Sequence, residues 1–336
     1  MKQWHLASNE WHAPAWPVPA GIRLIVDNDF AGDPDDLFHL AHQVLCPEAD
    51  LLAVICSHLR DGDPAAPYDS MEQGHNKALR LFEVMGLADT DRLVQGAPHE
   101  MLDRHTPIPT AGTQAIIDAA LGTSSDKPLY VACGGGLTDI ASAWLLCPEI
   151  ADHLTVVWIG GPDHPGLPDQ SGSGIYPEYN QMIDLTAAQV VFNDSNLPLW
   201  QVPRAAYRQC VVSQAELSRR LKDCGSLGEH LMEALRVNAA EAANHYIGRY
   251  CASTYVIGDQ PLLSLTCLQT FYEPDTGSSD YVIRPRTSFT DAGEPRLAPG
   301  GAPARVYTRI DTRLMFEDMF ARFEAFADWQ GSTPSL

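Results

Sequence analysis

Short, almost uninterrupted apolar runs recur along the chain, each followed by a polar turn and a stretch of helical period. The runs are Ile22-Arg23-Leu24-Ile25-Val26, Leu51-Leu52-Ala53-Val54-Ile55-Cys56, Leu129-Tyr130-Val131-Ala132-Cys133 and Leu154-Thr155-Val156-Val157-Trp158-Ile159. Runs of this length, rich in β-branched residues, predict strands buried on both faces. Between them, Asp36 to His42, residues 71–86 and Thr138 to Leu146 carry helical patterns; in the second, Ala78, Leu79, Leu81, Phe82 and Met85 form the apolar stripe. The alternation predicts an α/β fold, a mainly parallel, Rossmann-like open sheet flanked by helices. Residues 227–257 read as mostly helical, and Leu314 to Trp329 as a C-terminal amphipathic helix. Residues 273–304, rich in Pro and Gly, read as irregular with short strands. Residues 1–20, rich in Pro and Trp, read as an N-terminal arm. No linker, repeat or low-complexity tract divides the remainder, so 21–336 is expected to be one domain.

Composition narrows the function. The 336 residues are 45% hydrophobic and carry 22 Lys+Arg against 43 Asp+Glu, a formal charge of −21. Such a chain builds a sizeable core. Its acidity argues against nucleic-acid and anionic-membrane partners, whose phosphates need basic surfaces. No run approaches the roughly 18 apolar residues of a membrane span, and the first residues lack the apolar core of a secretory signal. The eight cysteines are scattered, mostly inside apolar runs, with no Cys-x-x-Cys. They read as free thiols in a reducing compartment, and the expected location is cytoplasmic.

Candidate chemistry concentrates after the first run. Asp27-Asn28-Asp29-Phe30-Ala31-Gly32-Asp33-Pro34-Asp35-Asp36 holds five carboxylates in ten residues, ahead of a helix. In a parallel sheet the carboxyl ends of the strands form the site-bearing edge. Gly134-Gly135-Gly136 and Gly160-Gly161 follow later strands onto the same edge. So many close carboxylates repel unless a cation offsets them. An all-oxygen set suits a hard ion, Ca²⁺ or Mg²⁺. The ordinary alternative is a solvated acidic turn capping a helix at Asp35. An EF-hand is disfavoured, because a strand precedes the loop. Residues 162–177 are long enough for a substrate-covering loop. The glycine turn 134–136 has neither the Rossmann nor the P-loop spacing, so no nucleotide phosphate is expected there.

The loop resembles the acidic signature of the inosine-uridine type nucleoside hydrolases, Asp-x-Asp-Pro-Gly-x-Asp-Asp, with two extra residues before the Asp pair. Further matches follow in order. Leu51-Leu52-Ala53-Val54 is similar to the family's second strand, and Asn76 falls where its next helix carries an Asn. Cys133-Gly134-Gly135-Gly136-Leu137-Thr138-Asp139-Ile140-Ala141 resembles Thr-Gly-x-Leu-Thr-Asn-Ile-Ala. Trp158-Ile159-Gly160-Gly161 resembles Met-Gly-Gly, and Glu178-Tyr179-Asn180-Gln181-Met182-Ile183-Asp184 resembles Glu-Phe-Asn-x-x-x-Asp. Arg249-Tyr250 with Gly258-Asp259 resembles the late metal-ligand motif.

The resemblance implies a Ca²⁺-dependent N-ribohydrolase that splits a nucleoside or related N-riboside. It implies Ca²⁺ held by Asp29, Asp36, Asp259 and the Gly134 carbonyl, with Asp27 supporting from behind. Asp29 would activate the water, and Asp35, Glu178, Asn180 and Asn76 would bind the substrate. The two extra residues leave open how Asp33, Asp35 and Asp36 divide the roles. A homodimer or homotetramer is implied in the same way. Two departures stand out. Gly258 occupies the place of the family's His, which protonates the leaving base; His58, His75, His105 and His164 are the other histidines near the active edge. Gly172, between Ser171 and Ser173, replaces an Asn expected before Glu178. Tyr176, Tyr250, Tyr255, Trp11 and Trp16 are candidates to stack on a base, whereas Trp158 reads as core. Two alternatives follow: a nucleoside or sugar binder of the same fold without the leaving-group acid, and a haloacid-dehalogenase-like phosphatase built on Asp27 and Asp29. The latter lacks a Lys in the required place, since Lys127 precedes its strand.

Overall fold

The computed structural model describes residues 1–6, 8, 11, 20–63, 66–122, 126–167, 177–245, 253–270 and 277–331, with the side chains of 242–245 excepted. The four predicted apolar runs form β1 (Ile22–Asn28), β2 (Ala49–Cys56), β4 (Leu129–Cys133) and β5 (Thr155–Ile159); a short β3 (Leu93–Gln95) and β6 (Leu199–Val202), outside those runs, join them. An antiparallel pair, β7 (Val211–Ser213) and β8 (Thr254–Val256), stands apart, as does the pair β10 (Thr287–Phe289) and β11 (Pro295–Leu297). Before and after that second pair, β9 (Asp280–Pro285) and β12 (Pro303–Arg309) belong to the main sheet. That sheet has eight strands in the order β3-β2-β1-β4-β5-β6-β12-β9, and only β9 runs antiparallel to its neighbour.

Helices cover both faces. They are α1 (Asp35–Val44), α2 (Ser70–Met85), α3 (Ala111–Leu121), α4 (Thr138–Leu146), the short α5 (Tyr179–Ile183), α6 (Leu185–Gln189) and α7 (Arg204–Tyr207), then α8 (Gln214–Arg220), α9 (Gly225–His245), α10 (Pro261–Thr266) and α11 (Thr312–Gly331). Two cores result, one on each face. Leu24, Val26, Phe38 and Phe82 lie in one; Ile25, Val131, Ile140 and Trp158 lie in the other. Alternation along β1 sends neighbouring side chains to opposite cores, which is why the run has no polar face.

Two expectations are corrected. The helical reading of 227–257 holds only to His245 among the described residues, because Thr254–Val256 pairs with β7 as a strand. Described parts of the N-terminal arm are built into the core. Trp4 (2% exposed) and Trp11 (6%) pack on Phe326 with ring centroids 5.6 and 6.3 Å away. The Trp4 indole donates to the Met85 carbonyl (2.9 Å) at the end of α2 remote from the acidic loop. Trp11 is therefore no base-stacking residue. Trp16 and the ends of the arm at 12–19 lie outside the described residues.

Candidate active site

The sheet order reverses direction at β1, which lies between β2 and β4. Open α/β sheets leave a crevice at such a point, outside the carboxyl ends of the strands. Asp27 pairs with Cys133 across β1 and β4, so both chains leave the sheet side by side. The acidic loop and the glycine turn 134–136 therefore meet.

Asp29, Asp36 and Asp259 converge there, each at most 5% exposed. Asp29 directly follows β1, Asp36 sits in the first turn of α1, and Asp259 precedes α10. The Asp36 and Asp259 carboxyls are within hydrogen-bonding reach of each other. Asn28 donates its amide to Asp259 Oδ2 at 2.6 Å. Gly134 closes the cluster, since a Cβ there would collide with both Asn28 Oδ1 and Asp259 Oδ2; a Cβ at Gly135 would stand 2.7 Å from Asp29 Oδ1. Glycine at these positions is a demand of close approach.

Burial, then the Asp259 charge, raises the Asp29 carboxyl well above the ordinary range. Burial, then Asp29 and Asp259, does the same to Asp36. Burial lifts Asp259 to about 6, although bonds from Asp36 and Asn28 oppose the rise. The largest influences on these three are burial, neighbouring carboxylates and hydrogen bonds, with no basic group among them. Below the cluster Asp27 is buried, and burial followed by the Asp139 charge raises it. Neither of its oxygens has a partner of hydrogen-bond geometry; Ser57 stands beside it and opposes the rise without making that bond. Asn28 Oδ1 is likewise buried without a partner.

Asp35 lies at the half-buried rim, accepting from the Gly258 N–H at 2.9 Å and facing the Tyr255 hydroxyl at 3.5 Å. Asp33 turns outward and accepts from Asn238 (2.7 Å) of α9. In position, Asp36 is thus the member of the trio that enters the cluster. Glu178, 3% exposed, caps α5. It accepts from Gly161 N–H (2.7 Å), Gln181 N–H (3.2 Å) and the Tyr207 hydroxyl (2.7 Å). Gly161, at φ +80°, turns its N–H toward Glu178 in a backbone region that glycine alone enters freely. Asn180 gives both amide hydrogens to carbonyls, Gly134 at 2.5 Å and Ile159 at 2.9 Å, so only its Oδ1 can meet a ligand.

Asn76 does not join the site. Gly74 and Lys77 are α2 residues that meet the loop, the first packed against Ala31 and the second donating to the Ala31 carbonyl (2.8 Å), whereas Asn76 is exposed about 200° round the helix from Gly74. His58 is buried between the Leu59 carbonyl (2.7 Å) and Thr138 (3.0 Å), and burial lowers its pKa. His164 lies between the Pro165 and Pro285 carbonyls. His105 is exposed and His75 half-buried. Trp158 is core, its indole donating to Gly135 O at 3.0 Å. Arg249, Tyr250, Tyr176, Gly172 with its flanking serines, and most of the expected covering loop lie outside the described residues. Three residues near the cluster carry no local sequence signal: Asn28, Tyr179 at the rim (bonded to Asp63, 3.1 Å), and Tyr207, whose ring lies against Gly258.

The donor set fits a hard cation: buried carboxylates that raise one another's pKa, and unpartnered oxygens beneath them. Among the described residues, no three of His, Cys, Asp and Glu are spread as a ready cage. The carboxyls lean on one another and on Asn28, so an ion would have to draw Asp36 and Asp259 apart.

Residues 24–262 match the family described as inosine-uridine preferring nucleoside hydrolase. A purine-preferring ribonucleoside hydrolase from Gardnerella vaginalis superposes with a TM-score of 0.69 at 17% identity, over 91% of this chain and 99% of that one. A plant nucleoside hydrolase, the PpNRh1 enzyme, gives 0.67 at 16%, over 91% and 99%. An inosine-uridine preferring nucleoside hydrolase from Bacillus anthracis gives 0.60 at 14%, over 90% and 99%. At these identities the superpositions speak for the fold. No curated protein matches the sequence. Among the described residues, no helix is long and apolar enough to cross a membrane.

Proposed function

The chain belongs to the inosine-uridine preferring nucleoside hydrolase family, hydrolases acting on N-glycosyl bonds, and from that premise we propose that it splits a ribonucleoside or related N-riboside into ribose and free base with the help of Ca²⁺. The observation that carries this reading is the meeting of Asp29, Asp36 and Asp259 beside Gly134. Those three carboxylates would hold the ion, together with the Gly134 carbonyl, whose second lone pair is left by the Asn180 bond. When bound, a hard cation acts as a Lewis acid that acidifies water and grips a vicinal diol.

The remaining work falls to the chain. Asp29 takes the proton of the attacking water as general base. Glu178 is pinned by three donors and accepts from a ribose hydroxyl. Asp35 and Asn180 Oδ1 contact the others. The surrounding carboxylates favour the positive charge that develops on the sugar ring as the base departs. Asp27 supports the cluster from below.

Incubation of the purified protein with purine and pyrimidine nucleosides, with and without chelator, tests the reading. Free ribose that disappears with chelator and returns with Ca²⁺ is expected. Absence of turnover across the panel would sink it. Gly258 favours a second reading, a binder without a leaving-group acid, because that position offers only a backbone N–H to Asp35. Ligand-induced stabilisation without product would decide for it.

A further inference from the structure

Both chain neighbours of Asp259 are tied to side chains of α1. The Gly258 N–H donates to Asp35 Oδ2 at 2.9 Å, and Gln260 Oε1 lies 3.1 Å from His42 Nδ1. Asp35 and His42 stand about two turns apart on one face of the helix. Asp36 therefore falls between the two α1 residues, as Asp259 falls between their two partners.

The lower tie is braced from the last helix. His42 and Gln260 are both fully buried. His42 Nε2 stands 2.8 Å from Asp318 Oδ2, which also accepts from Arg322 Nε at 2.6 Å. Burial raises the Asp318 carboxyl, but the bond and charge of His42, with those of Arg322, outweigh it and bring the group down to about 2. An ionised carboxylate only accepts, so Nε2 donates to it. The Gln260 amide nitrogen is turned to Met319 Sδ (3.0 Å) and its carbonyl to His42, so Nδ1 donates as well. Arg322 fastens the same helix to the end of α1 through the Leu45 carbonyl (3.0 Å) and Glu48 (3.1 Å). His39, a turn earlier on α1, shows the ordinary condition of a core ring. It is equally buried, neither of its nitrogens has a partner among the described residues, and burial lowers it to about 3.

We propose that His42 is a positioning residue for the reaction: braced on Asp318 of α11, it fixes Gln260 and so holds the backbone of Asp259 at the spacing from Asp36 that a shared cation requires. The proposal rests on the cation reading above and names what sets the affinity. Asp36 and Asp259 come from elements far apart in sequence, and their carboxylates repel once both are ionised. With the two backbones pinned, only the carboxyl side chains have to swing onto the ion, and the cost of ordering the site falls on folding rather than on binding. The upper tie cannot do this alone, because in the same reading Asp35 also serves the substrate. His42 touches neither ion nor sugar; it acts through Gln260.

The test titrates Ca²⁺ into the full-length protein, stripped with chelator, and reads Kd by calorimetry at neutral pH. His42→Phe keeps a ring beside Phe323 and removes both bonds; Gln260→Met removes the same link from the other end. Each should raise Kd about tenfold, the lower end of what the supporting partners of a metal site are worth. The double variant should raise it no further than either change alone, since one link is lost in all three. Ribose release lost at low Ca²⁺ should return once Ca²⁺ exceeds the new Kd. Phe326→Leu loosens the same helix where it packs on Trp4 and Trp11, and should lower the melting temperature with Kd unchanged. Equal Kd values for the wild type and both single variants would overturn the proposal. So would effects that multiply in the double variant, or a Kd raised as much by Phe326→Leu. A wild type that binds no Ca²⁺ would overturn the cation reading itself, and the proposal with it. Gln260→Met decides if His42→Phe fails to fold.

Discussion

The carboxyls of Asp36 and Asp259 lie within hydrogen-bonding reach of each other, the first from the opening turn of α1, the second from the turn before α10. Two acids so close and so buried share a proton or a cation. Burial lifts Asp259 to about 6, above the roughly 3.9 expected of an unfolded Asp. The folded chain therefore holds a proton that the unfolded chain releases. Stability from this group is full below about pH 4 and is lost as pH rises through about 6. With chelator present, the melting temperature should fall across that window. Ca²⁺ should restore it at neutral pH, by about 2.7 kcal/mol at a hundredfold excess over Kd, and should do little near pH 4. Calorimetry along both axes is the check; no response to Ca²⁺ at neutral pH would count against the cation site.

Asp29→Asn should remove the base while keeping the shape of the loop. Loss of a general base costs about 10²- to 10⁴-fold in rate, here read as kcat for ribose release. Asp36→Asn and Asp259→Asn, like Asp29→Asn, should weaken the melting response to Ca²⁺, since all three carboxylates would hold the ion. If Asp29→Asn left kcat within a factor of about two, less than the lower end of that range, the proton would have to go elsewhere.

Much of this was legible because physical chemistry writes it locally. β1, β2, β4 and β5 are buried on both faces, so they read as apolar runs. The acidic loop stands out because adjacent like charges need a reason. Partners made by the fold left no such mark. Asn28 looks like one more polar residue until β4 and α10 bring Gly134 and Asp259 against it. Tyr207 lies on a helix of four residues, and only the order β5-β6 brings it to Glu178. The Trp-rich arm reads as irregular because Phe326, which Trp4 and Trp11 cover, is supplied by the last helix. Asn76 shows the reverse error: sequence alignment with a motif located the helix, while the helix's own rotation turned the side chain outward.

Gly134→Ala should be costly beyond its size. The added methyl would meet Asn28 Oδ1 and Asp259 Oδ2, both fixed by their mutual bond. Overpacking of this kind costs about 1–3 kcal/mol, measurable by denaturant unfolding. Because the displaced atoms belong to the cluster, the Ca²⁺ response should fall as well. Gly21→Ala, with open space at its Cβ, is the matched control and should leave that response intact.

Tyr207→Phe isolates one hydrogen bond. The hydroxyl donates to Glu178 Oε1 at 2.7 Å, while Oε2 keeps the Gly161 N–H. Leaving one buried oxygen unpaired costs about 1–3 kcal/mol. If Glu178 holds the sugar equally in ground and transition states, the loss appears in KM, roughly 5- to 150-fold, with kcat little changed. Burial raises the Glu178 pKa, and the bond from Tyr207 is the largest force opposing that rise. Removing it lifts the pKa further. Since the ionised carboxylate is the form that accepts from a hydroxyl, the acidic limb of the kcat/KM profile should move to higher pH. A ring kept only to fill space beside Gly258 would leave both KM and that limb where they were, so the pair of readouts separates a positioning role from packing.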